Sequence, residues 1–129
     1  MRRICLSTIA LAVMALTGAW PAAACNATLL GIEVDYARSR LEEAARESSL
    51  SGAQLQTKRA YDMLRDAEIT SGACDCNRAT NEFGQASDRA RVALRAQSTD
   101  GFAGHLNKSI QHFNNAIDEL RTCRPQRRQ

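Results

Sequence analysis

Cys74-Asp75-Cys76 puts two thiols one residue apart in a chain whose other cysteines, Cys5, Cys25 and Cys123, stand far away from it and from each other. Thiols at this spacing can chelate a soft metal, form a redox couple, or supply neighbouring halves of two separate disulfides. A bridge directly between the two would close a small, strained ring. Structural zinc sites usually carry two cysteine or histidine pairs at separations of about two to four residues, so metal held by Cys74 and Cys76 is the weaker reading. A dithiol oxidoreductase needs a thiolate whose pKa is lowered by a nearby base or helix N-terminus. Arg78 offers the base, but Asp75 opposes it, and the chain has no thioredoxin-like strand pattern.

The start of the chain bears on the choice, because disulfides persist only in oxidising compartments. Arg2 and Arg3 precede an apolar run from Ile4 to Ala19, and Ala22-Ala23-Ala24 supplies small residues before Cys25. This is the pattern of a cleaved secretory signal over residues 1–24, of bacterial form, which places the rest in the periplasm or outside the cell. Ser7, Thr8, Thr17 and Gly18 interrupt the run, and Trp20-Pro21 ends it short of the roughly 20 residues a spanning helix needs. Cleavage after Ala24 makes Cys25 the first residue and raises lipid anchoring through its sulfur as an alternative. Ala22 stands where bacterial lipoprotein signals usually carry leucine. Acylating Cys25 would also leave an odd number of thiols among Cys25, Cys74, Cys76 and Cys123. Two disulfides built from these four are therefore expected, either 25–74 with 76–123 or 25–76 with 74–123.

The remaining reactive side chains form no recognisable machinery. His105 and His112 are seven residues apart on one side of a helix, about 10.5 Å of rise, too far for both to hold one ion. A haem reading would recruit Met63 with one of them, but no Cys-x-x-Cys-His attachment motif is present. Arg38 with Glu42, Glu42 with Arg46, Lys58 with Asp62 and Arg78 with Glu82 read as helix-surface pairs four apart. No glycine-rich phosphate loop occurs, and no nucleophile has a visible activating partner. The formal net charge is +3, yet Arg121, Arg124, Arg127 and Arg128 crowd into the last nine residues, leaving the body slightly acidic. Nucleic-acid binding, which calls for a basic patch over the fold itself, is not expected. Arg124, Arg127 and Arg128 are candidate contact residues in a basic, disordered tail at 124–129.

The elements that must position the cysteines are helices. The two prolines, Pro21 and Pro125, lie outside the span between the first and last exported cysteines, and apolar or small residues recur there in steps of four and three. Leu30, Val34, Ala37, Leu41 and Ala44 form one stripe; Ala53, Thr57, Ala60, Leu64 and Ala67 a second; Ala79, Phe83, Ala86, Ala90 and Ala93 a third; Ala103, Leu106, Ile110, Phe113, Ile117 and Leu120 a fourth. That spacing suits antiparallel helices in a left-handed bundle. Ser51-Gly52-Ala53-Gln54 fits a capping box, Gly72 a helix end, and Asp100-Gly101 a helix start. Short linkers make successive helices antiparallel neighbours, giving an all-α, up-down-up-down four-helix bundle over residues 25–123. The third helix, rich in alanine and carrying Gly84, allows close approach but buries little apolar area, so covalent staples matter.

In that topology the first helix start, the second turn and the last helix end share one pole, which is where the four cysteines fall. The sequence thus predicts a disulfide-stapled exported bundle with no cofactor and no catalytic residues, acting by contact with a protein or envelope component. A periplasmic metal-binding or thiol-redox protein is the alternative.

Overall fold

The computed structural model describes residues 25–123; the signal expected over 1–24 and the basic tail expected at 124–129, with Arg124, Arg127 and Arg128, lie outside the described residues. Four helices follow one another: α1 Ala27–Arg46, α2 Leu50–Ala73, α3 Asn77–Leu94 and α4 Thr99–Cys123. Each packs closely on the next in sequence, while α1 and α4 approach at only a few backbone positions. The expected four-helix bundle stapled at one end is what forms.

The first three apolar stripes are buried as the periodicity requires, every one of their fifteen residues included. The fourth is rotated. Phe102, Leu106, Ser109, Phe113 and Ala116 are the buried side chains of α4, whereas Ala103 is exposed and Ile110, Ile117 and Leu120 are only partly buried. The cause is α3, whose alanines bring its backbone close and favour small residues opposite. Ser109 Oγ donates to the carbonyl of Ala86 across this seam at 2.7 Å, a bond that satisfies a buried hydroxyl and fixes the rotation of α4. Leu106 and Phe113 belong to both stripes, so the period alone did not separate them.

The caps also differ from the expected ones. Ser49, not Ser51, caps α2, accepting from the Gly52 amide at 3.1 Å, and Ser98, not Asp100, accepts from the Gly101 amide at 3.1 Å to start α4. Asp100 lies in the first turn, where its charge favours the helix dipole. Gln54 does not fold back on its own helix. Its Nε2 donates to the carbonyls of Ala96 at 3.0 Å and Leu94 at 3.3 Å, satisfying free acceptors at the end of α3. Gln54→Ala is expected to cost about 1 kcal/mol in urea unfolding; an unchanged midpoint would show that water replaces the amide.

Of the anticipated surface pairs, Lys58 with Asp62 forms at 2.8 Å. Arg38 and Arg46 turn instead to Asp35 at 3.3 Å and Glu43 at 3.0 Å, each three residues back. Arg38 and Arg46 thus take acids on their N-terminal side, the favourable orientation along a helix, while Lys58 with Asp62 forms in the opposite order. Glu82 is drawn across the bundle to His112.

Candidate functional site

Cys25 is bonded to Cys74 and Cys76 to Cys123, with Cα atoms 4.5 and 5.6 Å apart. Each bridge closes one helical hairpin, α1 with α2 and α3 with α4, and the two hairpins meet at a single residue, Asp75. The crossed pairing would have tied α1 to α3 and α2 to α4.

Local geometry explains why the motif reads Cys-Asp-Cys. Asp75 has φ 57°, the left-handed conformation that reverses the chain after a helix. The Asp75 amide donates to the carbonyl of Gly72 and the Cys76 amide to that of Ser71, both at 3.0 Å, the paired bonds of a Schellman turn. The residue after the helix in the left-handed region is therefore Asp75, while Gly72 lies inside α2. Aspartate tolerates this conformation better than most non-glycine residues. Ser71 and Thr80 hydroxyls meet at 2.8 Å, and Thr80 Oγ1 donates to the Cys76 carbonyl at 3.0 Å, lacing the end of α2 to the start of α3. A reversal confined to one residue leaves the flanking cysteines on different helices, each in reach of its own hairpin's far end.

This arrangement limits the chemistry of the sulfurs. Cys74 is 0% and Cys76 3% exposed, while Cys25 and Cys123 are half-buried. Exchange with an external thiol would leave a buried thiolate at Cys74 or Cys76, where apolar surroundings disfavour charge. With these four sulfurs bonded, no thiolate remains among the described residues to ligate a metal, and Cys25 Sγ is held in a bridge. No group of three or more histidine, cysteine or acidic side chains converges as a metal site among the described residues. A shallow cleft of about 260 Å³ lies beside the Cys76–Cys123 bridge, lined by Arg78, Glu119 and Thr122 among others.

His112 and His105 occupy different surroundings. His112 Nδ1 is 2.7 Å from Glu82 Oε2 and ties α4 to α3; His105 is half-buried and its Nδ1 has no hydrogen-bond partner. Met63 is partly buried against the core.

One buried acid escaped the sequence reading. Glu33 lies between α1 and α2, 6% exposed, with Oε1 lacking any hydrogen-bond partner. Burial pushes its carboxyl above the ordinary glutamate range; a hydrogen bond with Thr70 works against the rise and the charge of Asp66 adds to it. The folded chain thus holds this proton more tightly than the unfolded one. Stability from Glu33 is greatest when it is protonated and is lost as pH rises through its raised value. Glu33→Gln is expected to be more stable than the natural chain at neutral pH and to lose that decline, as urea midpoints of dilute protein from about pH 4 to pH 7 would show. An acid one position before the Val34 core stripe was the available signal, but it reads equally well as a helix-surface residue.

No protein-family model matches the chain, and no similar curated protein or solved structure is found. The functional reading rests on the molecule's own geometry.

Proposed function

We propose that this chain is a small exported binding or structural protein of the bacterial envelope or periplasm, working through protein or envelope contacts. What carries the reading is the use of the cysteines. All four described cysteines are spent closing two helical hairpins, one bridge in each, which restrains the helix ends, and a restrained surface loses less freedom when it binds. Two disulfides fit a non-reducing location. No helix among the described residues is long and apolar enough to cross a membrane. The contact surface is the outward helix faces, with Arg124, Arg127 and Arg128 as an added basic element. The metal or redox alternative needs thiolates, and this pairing leaves none among the described residues.

The test is the mass of the full chain expressed in a bacterial host and recovered from its exported fraction. The expected species starts at Cys25, gains four hydrogens on reduction, and gives peptides linking Cys25 to Cys74 and Cys76 to Cys123. A chain retained inside the cell would overturn the reading, and one with free or metal-bound Cys74 and Cys76 would overturn it in favour of the metal or redox alternative.

A further inference from the structure

The two bridges close loops of nearly equal length. They span 49 and 47 residues, so the entropy of loop closure does not separate them. Their outer cysteines, Cys25 and Cys123, are both half-buried. A difference in how readily a thiol opens them must therefore arise at the inner sulfurs, Cys74 and Cys76, because exchange is faster when the sulfur that leaves holds negative charge well.

The reversal at Asp75 gives those two sulfurs opposite electrostatic surroundings. Cys74 stands at the C-cap of α2, where its amide donates to the carbonyls of Thr70 and Ser71 at 3.2 and 3.1 Å. That is the negative end of the helix dipole, which disfavours a thiolate. Cys76 stands at the N-cap of α3, the positive end, which favours one. Bonded to Cys123, its side chain makes no capping hydrogen bond. A thiolate there takes the place from which an N-cap side chain accepts from the amides of the first turn. Once protonated, the thiol has the Cys74 carbonyl as an acceptor 3.7 Å from Sγ. Access lies on the same side. Cys76 and Cys123 both line the cleft of about 260 Å³, with Arg78 and with Asp75 and Glu119, two acids that favour a neutral reagent over an anionic one.

We infer that Cys76–Cys123 is the reducible staple of this domain, opened by an external dithiol that attacks Cys123 Sγ while Cys25–Cys74 stays closed. The attacking thiolate bonds to Cys123 Sγ, and the S–S bond breaks with its electron pair on Cys76 Sγ. The reagent's second sulfur then displaces Cys123. The reagent leaves as a cyclic disulfide, oxidised by two electrons, and its two protons end on Cys76 and Cys123. The product keeps α1 tied to α2 and releases the end of α4 from the start of α3, a redox device confined to one hairpin. The inference concerns the folded domain alone and does not rest on the envelope reading above.

Dithiothreitol, a neutral dithiol, tests it when added in native buffer to the full chain with its disulfides intact. Free thiols are alkylated with iodoacetamide at intervals and located by peptide mass. Cys76 and Cys123 are expected to be labelled first, about tenfold faster than Cys25 and Cys74, through an intermediate that retains the Cys25–Cys74 link. Arg78→Glu, at an exposed position, should slow the opening of Cys76–Cys123 more than that of Cys25–Cys74, because negative charge in the cleft opposes the departing thiolate. A Cys25–Cys74 bridge that opens first, loss of both bridges with no intermediate, or an Arg78→Glu variant whose two bridges change alike or not at all would each overturn the inference.

Discussion

Replacing Cys76 and Cys123 by alanine is expected to lower the free energy of unfolding by about 4 kcal/mol, and replacing Cys25 and Cys74 by a similar amount. The bridges span 47 and 49 residues, and loops of that length are costly to close in the unfolded chain. Domains of this size have net stabilities of about 5–15 kcal/mol, so one bridge is a large share of the total. The core explains why that share matters. Ten of the twenty buried apolar residues are alanine, each offering little area to remove from water. Urea unfolding followed by circular dichroism, with the natural chain kept oxidised, measures the effect. A loss below about 1 kcal/mol would mean that helix packing alone holds the hairpin ends together. Removing both bridges should leave a chain that does not unfold cooperatively at all.

Phe83→Ala should cost about 3–5 kcal/mol. Phe83 and Phe113 are the two largest fully buried side chains, and their rings lie 6.3 Å apart at 60°, within the range of a favourable tilted pair. Phe83 sits on α3 among Ala79, Ala86 and Ala90. These short side chains already hold the neighbouring backbones close, so little can move into the space a benzyl group leaves, and unrelaxed cavities cost most. Phe102 is the control. It borders an open cleft of about 160 Å³ at the opposite pole, and Phe102→Ala should fall at the low end of the same range. A ranking with Phe102 above Phe83, or a Phe83 loss under about 2 kcal/mol, would show that the alanine-rich seam collapses freely.

Much of the bundle was legible because helix periodicity is a local property. A helix repeats every 3.6 residues whatever it packs against, so the stripes through Leu30, Ala53 and Ala79 named their buried faces directly. The fourth stripe misled for a related reason: α4 carries apolar residues on two adjacent sides, and the choice between Ile110 and Ser109 belongs to the neighbour, not to α4. Ser109 is inside because the Ala86 carbonyl is there to accept from it. Gln54 looked like half of a local capping box for the same cause, since the carbonyls it reaches lie some forty residues further along the chain.

The cysteines divide in the same way. Their number, their placement and the order of the helices determined that four sulfurs gather at one pole and that Cys74 does not bond Cys76. Which partner each takes depended on the backbone reversing within one residue, at Asp75, so that the two sulfurs leave on different helices. Likewise, nothing in the sequence marked Glu33 as an acid buried against α2. A side chain's type is written in the chain, but whether its charge finds a partner is decided by residues that only folding brings alongside.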